Sequence, residues 1–327
     1  MTERRRDPTT GEWRIFAGHR QDRTFLPPEE HCPLCPTRPG HPATEIDLPA
    51  FDVVVFENRF PSLVADPPAP DVAPSPLYEV QPSYGANEVV VYSDDHHLEV
   101  SDMELGKIAR IVDVWTDRYA ALGRRDDVAY VLIFENRVEA MGVTLHHPHG
   151  QIYAYPEVPP RPRLELTTAA THLDAVGTCV FCDVVARERA DGVRIVAQNR
   201  SFVAFVPFAA RYPYEIQVTA ERHAPSLLDL TGDERADLAA VLKVVLAAYD
   251  RLFGFRLPYV MAMHQSPTDR GRWQSVSHLH IEFMPPHRTA TKLKYLAGSE
   301  IGGGAFINDT RPEVTAAELR EAARGKG

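Results

Sequence analysis

A chain of 327 residues is long for a single hydrophobic core, so its length predicts two domains or one duplicated unit. Hydrophobic residues make up 44% of the sequence, and no apolar run approaches the roughly 18 residues that a membrane span needs, which argues against a membrane role. The formal net charge of −10 argues against a broad nucleic-acid-binding surface, so local arginines would have to hold an anionic substrate.

The chain is expected to work in the cytoplasm. Residues 1–10 carry charge without an apolar stretch, so they lack the middle region of a secretory signal. All four cysteines fall into two Cys-x-x-Cys pairs. In a long chain of this kind, such pairs indicate metal ligands in a reducing compartment rather than a disulfide framework.

Taken in chain order, two halves of the sequence repeat the same series of features. The first half contains Cys32-x-x-Cys35, Asn58-Arg59-Phe60, a helix predicted from Ser101, Tyr130-Val131 and His147-Pro148-His149. The second half contains Cys179-x-x-Cys182, Asn199-Arg200-Ser201-Phe202, a helix predicted from Thr231, Tyr259-Val260 and His278-Leu279-His280. The shared order predicts a tandem duplication, which we divide into residues 1–160 and 161–327.

Each half is predicted to be an α+β unit, with a helix packed on a mainly antiparallel sheet. The two helices should begin with capping boxes, Ser101-x-x-Glu104 and Thr231-x-x-Glu234, in which the hydroxyl and the carboxylate each accept a backbone N–H. Segments rich in β-branched residues predict strands at residues 51–56, 88–92, 130–134 and 216–218.

The cysteine pairs predict two structural zinc sites, because zinc takes four ligands and Cys-x-x-Cys presents two of them on one turn. Histidines at matching places in the two halves supply the others. The predicted ligands are Cys32, Cys35, His96 and His147 at the first site, and Cys179, Cys182, His223 and His278 at the second. His97 is an alternative to His96. A redox role is disfavoured, since neither pair opens a thioredoxin-like strand-to-helix turn.

The segment His147-Pro148-His149-Gly150-Gln151 combines a metal ligand with a candidate nucleophile. On a strand, residues i and i+2 face the same side, so one histidine can bind metal while the other reacts. Neutral imidazole is nucleophilic near pH 7, and a phosphorylated imidazole can pass its group onward. Gly150 would let a phosphate approach the backbone, and Gln151 would donate to a phosphoryl oxygen. The alternative, two histidines that only bind zinc or pack in the core, gives the Gly-Gln pair no use.

With Phe134-Glu135-Asn136 and Met141-Gly142 before it, this segment resembles the active-site segment of the galactose-1-phosphate uridylyltransferases, a branch of the histidine-triad superfamily. The opening Arg6–Trp13, His19-Arg20 and Arg23 are also similar to the family, as are Lys294-Tyr295, Gly298 and Glu300 near the end. The resemblance therefore covers nearly the whole chain. It implies two histidine-triad-like halves, the first carrying the nucleophile and the second structural and sugar-binding.

The resemblance also implies an activity and the residues for it. UMP would pass from UDP-glucose to galactose 1-phosphate by a ping-pong mechanism through a covalent uridylyl-His149 intermediate, without a redox cofactor. In this scheme His149 and Gln151 are catalytic, Gln151 and Thr144 hold phosphoryl oxygens, and the nucleotide or its phosphates contact Arg20, Arg23, Asn58 and Asn136. Lys294 and Glu300 would face the hexose at the interface of a homodimer.

One departure from the family pattern lies in the second half. Where some members follow His-x-His with an aromatic residue and two prolines, this chain has His280-Ile281-Glu282. That departure argues against the iron site those members build with Glu165, His264 and His280, and it favours the second zinc site in its place. Because Glu282 adds a carboxylate that repels phosphate, we expect one nucleophile per chain.

Two other functions are compatible with the same residues. A sugar-nucleotide phosphorylase of the ADP-glucose type would form the same histidine intermediate and release it to inorganic phosphate. A non-catalytic zinc or nucleotide-binding scaffold would bind nucleotide without a covalent adduct. The sequence leaves open the choice of base, sugar and acceptor, and Ser299, at a position where tyrosine is common in the family, bears on the sugar.

Overall fold

A computed structural model describes residues 2–40 and 43–325. Its first half contains β1 (Thr2–Arg6), β2 (Trp13–Ala17), β3 (Val54–Glu57), β4 (Val80–Pro82), β5 (Ala86–Val91), α1 (Leu105–Gly123), β6 (Tyr130–Arg137) and β7 (His149–Tyr155). The second half contains α2 (Pro160–Val176), α3 (Val180–Asp191), β8 (Ile195–Gln198), β9 (Phe202–Phe205), β10 (Ile216–Ala220), α4 (Gly232–Leu252), β11 (Tyr259–His264), β12 (His280–Met284), β13 (His287–Thr289), β14 (Lys292–Leu293) and α5 (Pro312–Ala323).

One antiparallel sheet runs through both halves, in the order β3-β5-β7-β6-β11-β12-β10-β9-β8. The halves meet where β6 pairs with β11, with Ile133 opposite Met263 and Arg137 opposite Tyr259. On either side of this seam the order is mirrored, since β7 and β5 follow β6 as β12 and β10 follow β11. The predicted α+β duplication is confirmed, and the division near residue 160 stays a prediction.

Helices cover both faces of the sheet. Helices α1 and α4 pack on one face, where Ile111 and Leu242 join a core that includes Val131 and Ile152. Helix α2 covers the other face through Leu166 and its neighbours. In the described part of the chain no single helix is long and apolar enough to span a membrane, while the pair α2 and α3, bent by 80° at their junction, meets the requirement by length and composition.

The two predicted capping boxes have different outcomes. Thr231 caps α4 as expected, with its side chain accepting from the backbone N–H of Glu234 and that carboxylate accepting from Thr231 in return. The box at Ser101 is wrong, because α1 begins at Leu105 and has no side-chain cap. The Ser101 hydroxyl instead donates to Asp250 of α4 at 2.7 Å. A tertiary partner has taken the hydroxyl that the local pattern assigned to a cap.

Candidate active site

His149 is the first residue of β7 and lies half-buried at the edge of a cleft. Its Nδ1 lies 2.8 Å from the carbonyl oxygen of His147. A carbonyl oxygen only accepts hydrogen bonds, so Nδ1 of the neutral ring carries the proton and Nε2 keeps its lone pair. Burial lowers the pKa of His149 below its ordinary value, which favours that neutral ring. The imidazole is thus held in its nucleophilic form.

The cleft beside His149 brings together most of the side chains that the sequence analysis assigned to the substrate. It is lined by Arg20, Arg23, Asn58, Thr144 and Gln151, which come from three separate segments of the sequence. Guanidinium groups, a hydroxyl and an amide are the donors that a phosphate requires. The cleft therefore has a polar end suited to a phosphoryl group beside a nucleophile.

An apolar wall of the same cleft was missed by the sequence analysis. Leu34, Phe56, Phe60 and Val89 form this wall, next to the polar end. The signal lay in strand register, because Phe56 is paired with Val89 and Val89 with Gln151 across three adjacent strands. A flat ring such as a nucleobase can pack against apolar and aromatic side chains of this kind.

Gln151 faces the cleft with one hydrogen-bonding group free. Its Oε1 is buried and has no hydrogen-bond partner among residues 2–40 and 43–325. A buried polar atom of this kind is normally hydrogen-bonded in the working protein. Rotation of the amide by 180° exchanges its oxygen and nitrogen, so the same position can present an NH₂ donor to a phosphoryl oxygen.

Gly150 lies between Gln151 and His149 but is buried on the opposite face of the strand. The role that we expected for it, admitting a phosphate to the backbone, is therefore wrong.

Asn58 and Arg20 also build the turn that forms one side of the cleft. The Oδ1 of Asn58 accepts from the backbone N–H of Phe60 at 2.9 Å, and Arg20 donates to the carbonyl oxygen of Phe60 at 2.8 Å. In the second half Asn199 makes the same turn by accepting from the backbone N–H of Ser201 at 3.1 Å. The amide NH₂ of Asn58 makes no hydrogen bond to a described residue, so it is available to a ligand.

Three predicted substrate residues are not among those that line this cleft. Asn136 follows Phe134 on β6, and extending the pairing of Phe134 with Gln151 by two residues brings it level with His149. Lys294 and Glu300 are paired with each other at 2.8 Å. The hydrogen bond from Lys294 lowers the pKa of Glu300 to about 2, so this carboxylate is ionised at neutral pH.

The first predicted metal site is assembled as expected. Single ligand atoms of Cys32, Cys35, His96 and His147 lie within 4.8 Å of one another. The Sγ of Cys35 lies 3.3 Å from Nδ1 of His96 and 3.5 Å from Nδ1 of His147. His97 instead pairs with Glu29 at 3.1 Å, which favours His96 as the ligand.

These distances are those of a tetrahedral zinc site. A zinc ion with Zn–S bonds of about 2.3 Å and Zn–N bonds of about 2.0 Å places sulfur and nitrogen about 3.5 Å apart. Nε2 of His147 donates to the carbonyl oxygen of Ser93 at 2.7 Å, which leaves the lone pair of Nδ1 directed at the cysteines. Burial, followed by the neighbouring Cys32, raises the pKa of Cys35 to about 12, so a bound cation would be needed to hold the thiolate form.

The second predicted metal site has the same construction. Cys179, Cys182, His223 and His278 converge within the same limit. Nδ1 of His278 lies 3.6 Å from the Sγ of Cys182, while its Nε2 donates to the carbonyl oxygen of Ala220 at 2.9 Å. Nδ1 of His223 lies 3.7 Å from the same sulfur. Both cysteine pairs thus present a donor set and geometry that fit zinc.

Glu165, His264 and His280 also converge, although the departure at Ile281-Glu282 argued against a site there. Together with Glu282 they form a third group of possible metal ligands, so the second Cys₂His₂ group does not replace them. His264 lies 2.6 Å from Glu165. Although burial alone would raise it, this contact lowers the pKa of Glu165 to about 2. Glu282 is only 6% exposed and accepts from Arg211 at 2.7 Å, so its carboxylate is buried and paired.

Comparison with known proteins identifies the family. Sequence models of galactose-1-phosphate uridyl transferase match the chain in two parts, the N-terminal domain over residues 1–159 and the C-terminal domain over residues 165–325. The galactose-1-phosphate uridylyltransferase of Thermotoga maritima is 39% identical over 322 residues, which covers 98% of each protein.

Solved structures agree with this assignment. A uridylyltransferase structure matches with a TM-score of 0.88 and 38% identity over 99% of each chain. An ADP-glucose phosphorylase from Arabidopsis thaliana, solved with bound ADP-glucose, matches with a TM-score of 0.74 and 26% identity over 98% of this chain and 99% of that one. The residues around His149, the two-part match and the whole-length identity agree: the chain belongs to the galactose-1-phosphate uridylyltransferase family.

Proposed function

We propose that this protein is a galactose-1-phosphate uridylyltransferase that carries the uridylyl group on Nε2 of His149. The observation that supports this most strongly is the hydrogen bond from Nδ1 of His149 to the His147 carbonyl, because it leaves Nε2 unprotonated beside a phosphate-binding cleft. Relatives of the same length and family carry the same name, including the protein from Thermotoga maritima.

The transfer takes place in two displacements at phosphorus. In the first, Nε2 attacks the α-phosphorus of UDP-glucose, a P–N bond forms, and the bond to the β-phosphate oxygen breaks to release glucose 1-phosphate. In the second, a phosphate oxygen of galactose 1-phosphate attacks the same phosphorus and the P–N bond breaks, which gives UDP-galactose and restores neutral His149. Neither step changes an oxidation state, so both balance without a further reactant.

Cleft residues stabilise the negative charge on the phosphoryl oxygens during each displacement. Thr144 and Gln151 are the candidates for donors to the non-bridging oxygens, and Arg20 and Arg23 supply positive charge. The apolar wall that contains Phe56 would take the uracil ring. Gln151 and Phe56 are placed by strands β7 and β3, and Arg20 is held by its hydrogen bond to the carbonyl oxygen of Phe60.

We also propose a cytoplasmic homodimer in which Lys294 and Glu300 of the partner subunit contact the hexose. The segment that carries them exposes apolar side chains, with Tyr295 76% and Ile301 75% exposed. Apolar patches of this kind commonly mark an interaction surface. Sedimentation that finds only a monomer at the concentrations used for assay would contradict this part of the proposal.

Two structural zinc ions complete the proposal. The first would be held by the site that contains His147 and the second by the site that contains His278, both with donor sets that fit the metal. A bound zinc supplies a fixed, charged anchor for its ligands and takes no part in the displacement. His147 then holds its carbonyl oxygen at the place where His149 donates to it.

A second candidate, a sugar-nucleotide phosphorylase, is favoured by one observation. The Arabidopsis thaliana ADP-glucose phosphorylase shares 26% identity and a TM-score of 0.74 over 98% of this chain. Such an enzyme would carry an adenylyl group on His149 and release it to inorganic phosphate. The higher identity to uridylyltransferases, 39% for the Thermotoga maritima protein, supports the first candidate.

Intact-protein mass spectrometry distinguishes these functions. Mixed with UDP-glucose and no acceptor, the protein should gain the mass of one uridylyl group, and galactose 1-phosphate should remove it. His149→Ala should gain nothing, because among the described residues that line the cleft His149 is the one histidine. ADP-glucose should give no comparable adduct.

The other outcomes each exclude the uridylyltransferase proposal. An adenylyl-sized gain that phosphate clears would establish the phosphorylase instead. Nucleotide binding without any covalent gain would leave a non-catalytic scaffold. Circular dichroism of His149→Ala is the control that its loss of adduct does not come from unfolding.

The duplication provides a matched pair of variants for the metal sites. Wild-type protein should hold two zinc ions per chain, and Cys35→Ser and Cys182→Ser should each lose one. Cys35→Ser should also slow adduct formation by about 10- to 100-fold, as expected when a group that orients the reacting residue is lost. Cys182→Ser should react closer to the wild-type rate, since its site does not anchor His149.

Elemental analysis of the folded fraction after gel filtration, together with the adduct rate, makes this comparison. Unchanged zinc in Cys35→Ser would show that the first site is wrongly assigned. Equal loss of rate in both variants would show that zinc acts through overall stability and not through His147.

A further inference from the structure

Gly150 lies next to the nucleophile but faces the core. Successive residues of a strand point to opposite sides, so His149 and Gln151 face the cleft while Gly150 shares the face of Ile152, which is fully buried under α1. A substitution at Gly150 therefore meets the protein interior before it meets a substrate.

The space beside Gly150 is filled by the side chain of Tyr92. A Cβ atom placed on Gly150 would overlap the Tyr92 hydroxyl oxygen, would lie 3.0 Å from its Cζ, and would lie 3.3 Å from the carbonyl oxygen of Phe134. Because the ring of Tyr92 is buried and the Phe134 carbonyl belongs to the backbone, such a contact could be relieved only by a shift of the strand. The absence of a side chain at position 150 is thus required by Tyr92.

Tyr92 also contacts this segment through its backbone, and its ring is held from behind. Its N–H donates to the carbonyl oxygen of Pro148 at 3.5 Å, one residue before the nucleophile. The ring packs edge-on against Trp115, with centroids 6.2 Å apart. Burial, followed by the nearby Glu135 carboxylate, raises the pKa of Tyr92 well above its ordinary value. One residue therefore meets the segment on both sides of His149.

The hydroxyl of Tyr92 is the atom that closes the space beside Gly150. The residue is fully buried, and its hydroxyl oxygen occupies the position that a Gly150 side chain would take. The same hydroxyl lies beside the Glu135 carboxylate and the indole of Trp115, two polar neighbours that hold it where it faces Gly150.

We propose that Tyr92 is a positioning residue for the reaction. Its hydroxyl contacts the Gly150 backbone on the core side of the strand and so fixes the position of the His149 imidazole relative to the α-phosphorus. This inference rests on the proposed function. A shift of about 1 Å in a reacting group costs on the order of 10²-fold in rate, so a support directly beneath the neighbouring residue has a large effect.

A double-mutant cycle tests the pair. Gly150→Ala should lower the single-turnover rate of adduct formation with UDP-glucose by about 100-fold, with little change in the UDP-glucose concentration at half-maximal rate. Tyr92→Phe alone should lower it by a smaller factor, on the order of tenfold. The double variant should recover at least about tenfold over Gly150→Ala, because the most overlapped atom has gone.

Gly106→Ala is the matched control, since a Cβ on this helical glycine meets nothing within 4 Å. It should keep the wild-type rate. If Gly150→Ala is as slow with Tyr92→Phe as without it, or if Tyr92→Phe alone has the full wild-type rate, the positioning role is overturned.

Thermal unfolding of the same four proteins separates this inference from the proposed function. If the effects of the two substitutions are non-additive in both the melting temperature and the rate of adduct formation, positioning is supported. If the effects are non-additive in the melting temperature but additive in the rate, Tyr92 is a packing residue only. A wild-type protein that forms no adduct would refute the proposed function, and the melting temperatures alone would then show whether the contact between Tyr92 and Gly150 exists.

Discussion

The hydrogen bond from Nδ1 of His149 to the carbonyl oxygen of His147, 2.8 Å long, joins the candidate nucleophile to the candidate metal site. On one side, His147 is buried, donates to Ser93 and turns its free nitrogen to Cys35. On the other side, the same bond fixes which nitrogen of His149 is free to react. The candidate metal site and the candidate nucleophile are thus connected by one residue of backbone.

The second half repeats this hydrogen bond but surrounds it with different side chains. Nδ1 of His280 donates to the carbonyl oxygen of His278 at 2.8 Å, as its counterpart does in the first half. Its free nitrogen faces Glu165 at 3.7 Å, and its ring stacks on Phe181. Buried Glu282 stands where the first half has Gln151. The duplicated framework is kept, while two carboxylates and an aromatic ring surround the second imidazole.

Local and periodic signals in the sequence predicted much of this molecule. Ligand spacing and duplication predicted both groups of cysteines and histidines, and the hydroxyl and carboxylate at Thr231 and Glu234 predicted a cap that is present. The same local pattern failed at Ser101, because its competing partner, Asp250, lies 149 residues away. Capping depends on neighbours in sequence, whereas that contact depends on how two helices pack.

The remaining differences also come from contacts between distant segments. The apolar wall of the cleft depends on the register that brings Phe56, Val89 and Gln151 into line across three strands. We expected Gly150 to admit a phosphate because the alternation of side chains along a strand does not show which face packs against the core. The pairing of Lys294 with Glu300 likewise became visible only in the folded chain.

Locating the adduct on a peptide tests most directly whether His149, and not its counterpart His280, carries the nucleotide. The protein would be loaded with UDP-glucose and digested with trypsin at alkaline pH, because P–N bonds hydrolyse in acid, and the modified peptides would be fragmented by electron transfer. We predict the uridylyl group on His149 alone. A uridylyl group on His280, on His147 or on no histidine would contradict a reaction set up by the hydrogen bond between His149 and the His147 carbonyl.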